Sequence, residues 1–108
     1  MNRLKKTYIF KIIWGKNSIG LAIEKLLKKN KTSPITAYFF WPNENGWDLL
    51  KNQLLNKPWI SEEERIEILN GYNNIIKYWL TNVTKIDEIT KLIQDSKEYN
   101  FELSGINF

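Results

Sequence analysis

The stretch YIFKIIWGKNSIGLAIEKLLKKN, residues 8–30, decides the fold class, because two different hydrophobic periods follow each other within it. Over residues 8–14 one alternate set of side chains is entirely apolar, which is typical of a strand with one fully apolar face. This set is Tyr8, Phe10, Ile12 and Trp14, and it alternates with Ile9, Lys11 and Ile13. After Asn17 or Ser18, either of which can cap a helix, apolar residues recur at helical spacing as far as about Asn30: Ile19, Ala22, Ile23, Leu26 and Leu27. The stretch therefore predicts a strand followed by a helix.

A second strand is predicted over residues 35–41. Pro34 breaks the chain before it, since proline lacks a donor and pushes the preceding residue towards an extended conformation. Pro42 ends it. If the two predicted strands pair directly, the helix between them makes the connection a right-handed crossover and the pairing parallel.

Two further helices follow, each with a capping signal. Asn43 or Asn45 can cap the first, which reaches about Asn56. Ser61 followed by Glu64 is a capping box, and it opens the longest predicted helix, which ends near residue 80. The weak point of this longest helix is its interior glycine, at position 71.

Beyond residue 82 the pattern is less tightly specified. Apolar residues at helical spacing suggest one more helix, and the last eight or so residues are expected to be irregular; the helical set is Ile86, Ile89, Leu92 and Ile93. The predicted fold class is α+β: a small, two-stranded sheet packed against three to four helices in a single domain. Its main part spans residues 1–82 with a basic N-terminal segment, and residues 83–108 form a helical extension with an irregular tail.

Composition weighs against catalysis. The sequence holds neither cysteine nor histidine, so thiolate metal sites, disulfides and the usual general base are all absent. The dense acidic group at Glu62, Glu63, Glu64 and Glu67 is best explained by a favourable interaction with the N-terminus of a helix. We therefore expect no enzyme, no catalytic residue, no metal and no cofactor. No uncharged stretch approaches the length needed to cross a bilayer, so no membrane partner is expected.

The charge is distributed unevenly along the chain. Residues 1–31 carry nine basic residues against Glu24 alone, whereas residues 32–108 carry seven basic and eleven acidic residues. A concentrated basic segment recruits polyanions, although lysines more commonly form a solvated face. The predicted RNA-binding residues are Arg3, Lys5, Lys6, Lys11, Lys16, Lys25, Lys28, Lys29 and Lys31.

Four consecutive aromatic residues, 38–41, lie on the second predicted strand. Because side chains on a strand point alternately to its two faces, two of them should enter the core and two remain for a partner. Base stacking is the alternative use of such rings. We predict a protein contact at Tyr38, Phe40 and Trp41. The remaining tryptophans are expected to be packing anchors: Trp14, Trp47, Trp59 and Trp79.

Several separated segments together resemble one known family. They are TSPITAYFFWP (32–42), GWDLL (46–50), KPWISEEE (57–64), IEILN (66–70) and IIKYW (75–79), with a weaker likeness over 10–22. In this order they resemble the plastid-specific ribosomal protein 3 family of chloroplasts and cyanobacteria. The resemblance implies a structural protein of the small ribosomal subunit that binds small-subunit ribosomal RNA and neighbouring ribosomal proteins, and no small-molecule substrate. It also implies a ribosome-bound location in the chloroplast stroma, or in the cytoplasm of a cyanobacterium.

A second hypothesis belongs to another functional class. The chain would then be a non-catalytic adaptor whose exposed aromatic residues bind another protein, while its lysines only keep it in solution. The two hypotheses differ in salt sensitivity, because phosphate contacts weaken as salt rises and apolar contacts do not.

Overall fold

The computed structural model describes residues 8–28, 31–82, 91 and 100–107. Within these residues the chain forms five strands and two helices. In chain order they are β1 (Tyr8–Gly15), β2 (Ile19–Leu26), β3 (Thr32–Pro34), β4 (Phe39–Trp41), α1 (Gly46–Leu55), α2 (Glu62–Asn82) and β5 (Asn100–Asn107). None of the helices in this part of the chain is both long and apolar enough to cross a membrane.

The five strands make one sheet in the order β3-β2-β1-β5, with β4 also paired to β2. β1 and β2 form an antiparallel hairpin, whereas β1 and β5 are parallel. β3 and β4 pair with successive parts of β2, next to Glu24–Leu26 and Ile19–Leu21 respectively. The sheet is therefore built around β1 and β2.

The predicted helix after Asn17 is wrong, because residues 19–26 form β2 instead. Its first five residues are all buried, since β2 lies between β1 on one side and β3 and β4 on the other. A strand buried on both faces has a nearly continuous apolar run, and such a run also satisfies helical spacing. The prediction of a parallel crossover is therefore also wrong, because a short turn joins β1 to β2 as an antiparallel hairpin.

The predicted two-stranded sheet with three to four helices is also wrong, although the mixed α+β composition is present. The expected irregular tail contains β5, whose Phe101 is buried and pairs with Phe10 of β1. In the sequence, the alternation of Phe101 and Leu103 could have indicated this strand. The helix expected around 86–93 lies outside the described residues, apart from Lys91, which is helical.

Only the last three residues of the second predicted strand, 35–41, form a strand, β4, because residues 35–38 are irregular around Thr36. β3 lies ahead of the predicted strand, at Thr32–Pro34, where Pro34 was expected to break the chain. The backbone N–H groups of Ile35 and Thr36 both donate to the carbonyl of Ile23, at 2.9 and 3.2 Å. The buried hydroxyl of Thr36 accepts from the N–H of Ile23 at 3.0 Å and donates to the carbonyl of Ala37 at 2.9 Å. The Thr36 hydroxyl thus takes the place of a backbone carbonyl as the acceptor for the N–H of Ile23 in β2.

Both downstream helices are confirmed. Asn45 caps α1, and its side chain accepts from the N–H of Asp48 at 3.4 Å. The capping box of α2 is formed in both directions, because Glu64 N–H donates to the Ser61 hydroxyl at 3.1 Å and Ser61 N–H donates to the Glu64 carboxylate at 3.0 Å. These contacts fix where each helix begins.

The helices pack on one face of the sheet and form the core with it. The apolar face predicted for β1 is buried there. The closest approach of α2 to the sheet is at Gly71, where an added Cβ would lie within 3.0 Å of three ring atoms of Phe10. The glycine predicted as the weak point of the helix is therefore what allows the helix to reach the sheet.

Candidate nucleic-acid interface

The structure places five of the nine predicted RNA-binding residues and separates them into different regions. Lys16 lies in the turn between β1 and β2, whereas Lys28 and Lys31 lie in the β2–β3 loop, and all three are exposed. The 8 residues of β2 hold these two regions roughly 24 Å apart. Lys11 and Lys25 lie on the strands between. Four residues, Arg3, Lys5, Lys6 and Lys29, lie outside the described residues.

Lys11 lies on the sheet face opposite the helices, and nearby carboxylates balance its charge. Its ammonium donates to Glu102 at 3.2 Å and lies 4.0 Å from Glu24. The hydrogen bond to Glu102 raises the pKa of Lys11 above its usual value. A cation paired in this way contributes less to phosphate binding than one that faces solvent alone.

The β2–β3 loop presents two exposed lysines, Lys28 and Lys31, close together in sequence. It is closed by a 2.6 Å hydrogen bond from the N–H of Leu27 to the carbonyl of Lys31, and by a 3.4 Å contact from the N–H of Lys31 to the carbonyl of Lys28. This geometry keeps Lys28 and Lys31 on one short loop. Leu26 and Leu27 beside them are 40% and 45% exposed, so the loop has apolar as well as basic surface.

Trp59 lies near the same end of the sheet and is 54% exposed, so the prediction that it is a packing anchor is wrong. The ammonium of Lys25 lies 5.2 Å from the centroid of its ring. Trp14 and Trp79 are buried, as predicted, while Trp47 is 36% exposed. Sequence reasoning missed Trp59 because residues beside a proline turn are often buried, and nothing in its spacing distinguishes an exposed tryptophan from a buried one.

Glu64 joins the sheet to α2 at this end. Its carboxylate accepts from the Tyr8 hydroxyl at 2.9 Å as well as from the N–H of Ser61. Burial opposes ionisation of Glu64, but the hydrogen bonds from Ser61 and Tyr8, with the charge of Lys25, outweigh burial and hold its pKa below the usual value. Burial and the same bond to Glu64 raise the pKa of Tyr8.

Replacing Glu64 with glutamine should weaken the dependence of stability on acid pH. A carboxylate whose pKa is lower in the folded state than its unfolded value of 4.5 stabilises the fold above that value, and this stabilisation is lost as pH falls through the folded pKa. Urea unfolding of both proteins between pH 3 and 7 measures the effect. Wild type should lose more stability than Glu64→Gln between about pH 5 and 3. Equal losses in the two proteins would contradict a lowered pKa of Glu64.

The four consecutive aromatic residues divide between the two faces of the sheet. Phe39 and Trp41 face the helices, where Phe39 is buried and Trp41 packs edge to face on Trp79 with centroids 5.8 Å apart. Tyr38 and Phe40 lie on the opposite face with centroids 6.3 Å apart, and both are half-buried. The Phe40 ring covers Gly20 of β2, where an added Cβ would come within 2.7 Å of it.

The division of these rings confirms that two of them enter the core. Of the three residues predicted for a protein contact, Tyr38 and Phe40 share one surface and Trp41 lies on the other face of the sheet. In the part of the chain that the structure describes, no group of three acidic side chains is placed to hold a metal ion.

Comparison with a family model gives a match over residues 35–82, which contain β4, α1 and α2. The matching family is described as plastid and cyanobacterial ribosomal protein (PSRP-3 / Ycf65). The matched segment thus includes the aromatic strand, Trp59 and the capping box of α2.

Individual relatives extend the likeness to most of the chain. The small ribosomal subunit protein cS23 of Gracilaria tenuistipitata var. liui is 39% identical over 94 residues, which cover 87% of this chain and 93% of the relative. A probable small ribosomal subunit protein cS23 of Synechococcus sp. is 43% identical over 72 residues, 67% of this chain and 72% of the relative. One of the Arabidopsis thaliana proteins named cS23 is 37% identical over 75 residues, 69% of this chain and 45% of the relative.

Proposed function

The chain belongs to the plastid and cyanobacterial ribosomal protein family (PSRP-3 / Ycf65), and from this membership we propose that it is a structural constituent of the small subunit of a plastid-type ribosome. The observation that carries the proposal is the 39% identity that spans 93% of a relative named as a small-subunit protein. The chain works bound to ribosomes, in the chloroplast stroma or in the cytoplasm of a cyanobacterium. It supports translation as part of the particle and performs no catalytic step.

Within that role, the β2–β3 loop docks on the phosphates of small-subunit ribosomal RNA. Exposed Lys28 and Lys31 support this assignment, because neutralising phosphates releases counterions and gives strong attachment that does not depend on sequence. Lys29 lies between them in sequence and belongs to the same proposal, as do Arg3, Lys5 and Lys6. Lys16 makes a separate contact, because it lies at the opposite end of β2.

The sheet face that carries Tyr38 and Phe40 contacts a neighbouring ribosomal protein. Two half-buried rings close together on a sheet offer the kind of aromatic surface that protein interfaces favour. Trp41 supports this surface from the other side of the sheet, through its packing on Trp79. An adaptor would use the same two rings, and the observation that favours an adaptor is their shared position away from the helices.

Salt separates ribosomal attachment from an adaptor contact. Extract of cells that express the tagged chain is sedimented through gradients at rising salt concentration, and the fractions are probed for the tag. We expect the chain to sediment with small subunits at low salt and to be released progressively as salt rises. Recovery only with free protein at low salt would contradict the proposal, and attachment that is indifferent to salt would favour the adaptor.

A further inference from the structure

We propose that Trp59 is a stacking site for one unpaired RNA base, with the phosphates beside that base bound by Lys25, Lys28 and Lys31. This inference rests on the proposed function, because it needs RNA as the partner. It differs from phosphate docking in that it requires a nucleobase. The ligand class is therefore a single-stranded loop or bulge rather than a regular duplex.

The Trp59 ring is open to solvent. It is 54% exposed even though the Lys25 ammonium lies over it, 5.2 Å from the ring centroid. A second planar group therefore still finds open ring surface. Tryptophan offers a large π surface, and bases stack on such surfaces with little regard to their identity.

Backbone hydrogen bonds hold the loop that carries Trp59 in place. The N–H of Lys57 donates to the carbonyl of Leu54 at 3.1 Å, and the N–H of Ile60 donates to the carbonyl of Lys57 at 3.0 Å. Arg65 also donates to the carbonyl of Ile60 at 3.2 Å. Leu54 and Ile60, on either side of the turn, are buried. The backbone is thus held on both sides while the indole is left outside, so stacking on it orders little protein.

The lysines near the Trp59 ring favour a polyanion on one side of it. Lys25 lies next to Ser33 in β2, and Lys28 follows it shortly after the end of that strand, within about 10 Å along the backbone. Glu62 and Glu63, both exposed in the first turn of α2, follow Trp59 by three and four residues. These carboxylates repel phosphates. The nucleic-acid backbone therefore runs over the β2–β3 side of the ring.

Trp47 provides a matched comparison within the same chain. It also has a lysine over its ring, Lys51, at 5.2 Å, but it is 36% exposed and sits on α1. Lys51 lies four residues further along the same helix, so local helix geometry alone explains that pair. Trp59 and Lys25 come from elements 34 positions apart in sequence, and only the fold brings them together.

The test measures binding to deproteinised small-subunit ribosomal RNA by wild type and by Trp59→Leu, Trp59→Phe and Trp47→Leu. Circular dichroism first checks that each variant keeps the native fold. We expect Trp59→Leu to bind roughly 5- to 140-fold more weakly, which is the range for one base–aromatic stack. The salt slope should stay the same, because no charge is removed. Trp59→Phe should stay close to wild type, and Trp47→Leu should not differ from it.

Other outcomes overturn the inference. Undiminished binding of Trp59→Leu, while wild type still joins small subunits, removes the stacking site and leaves the proposed function intact. If Trp59→Leu binds the RNA as tightly as wild type but no longer joins small subunits, Trp59 contacts a protein and not a base. Wild type that joins subunits but has no affinity for the deproteinised RNA also contradicts the stacking site. Wild type that never associates with subunits overturns the proposed function and the inference with it.

Discussion

Replacing Gly71 with valine is expected to remove a large part of the stability of the native fold. Three ring atoms of Phe10 already lie within 3.0 Å of where a Cβ would be, and Phe10 is 1% exposed in the centre of the core. The added branch therefore forces α2 away from the sheet or drives Phe10 from its site. Added carbons in a packed core cost about 1–3 kcal/mol or more, against a total stability of roughly 5–15 kcal/mol for a domain. Urea unfolding followed by circular dichroism measures the loss.

Gly71→Ala gives the sharper test, because two physical effects predict opposite signs for it. Helix propensity alone would make alanine more stabilising than glycine by about 1 kcal/mol in a helix interior. Contact with the Phe10 ring should outweigh that gain, so we expect a lower urea midpoint. Asn74→Ala, at an exposed position of the same helix, is the control and should be neutral or stabilising.

A rescue variant attributes the loss to the ring. Phe10→Leu should lower the cost of Gly71→Ala, so that the double variant is more stable than the sum of the single effects predicts. Strict additivity would show that the Phe10 ring is not what opposes the new methyl group. A more stable Gly71→Ala would likewise contradict the packing described for α2.

Reversing Lys28 and Lys31 to glutamate together is expected to weaken attachment to small subunits by at least roughly 30-fold near 0.1 M salt. Two lost phosphate contacts account for that factor through counterion release, and the two new carboxylates add repulsion. Both side chains are exposed on the β2–β3 loop, so the fold should survive. Quantitative pelleting of labelled chain with salt-washed subunits measures the effect, and the salt slope should fall along with the affinity.

The matched control reverses Lys51 and Lys77, which carry the same charge and are equally solvent-facing on α1 and α2. We expect this pair to change attachment much less, because Lys77 lies near the C-terminal end of α2, at least about 20 Å along the helix from its start. Equal weakening by the two double variants would mean that net charge, and not the β2–β3 loop, governs attachment. Both double variants must keep the circular dichroism spectrum of the native protein.

Local signals predicted the elements that local chemistry controls. β1 has an apolar residue at every second position from Tyr8 to Trp14. α1 and α2 begin at side chains whose hydrogen bonds to the backbone depend only on residues three positions away. The division of the aromatic run between two faces also follows from strand geometry alone. The resemblance to the ribosomal family rested mainly on segments within residues 32–79, and the family match covers residues 35–82.

The elements that failed depend on distant partners. β2 is a strand because β1, β3 and β4 surround it, and its own apolar residues fit a helix equally well. β5 joins the sheet through parallel pairing with β1, about 90 residues away, for which a single sequence gives no signal beyond the alternation of two residues. Residues 35–38 lack the strand conformation predicted for them, and there the Thr36 hydroxyl meets Ile23 across the sheet.

The candidate site shows the same limit. Counting lysines along the chain located the basic segment, but β2 carries that segment across the sheet and holds Lys16 far from Lys28 and Lys31. Lys11 is paired with Glu102, so its charge does not face solvent alone. Trp59 is a candidate for binding because it is exposed and because Lys25 lies over its ring. Neither property can be predicted before the fold is known.

Cryo-electron microscopy of small ribosomal subunits purified from the organism that encodes this chain tests the central claim most directly. The account predicts density for this five-stranded fold on the subunit, with the β2–β3 loop against RNA phosphates and Trp59 against a base. Subunits that contain no such density, or that hold the fold with Lys28 and Lys31 turned to solvent, would contradict it.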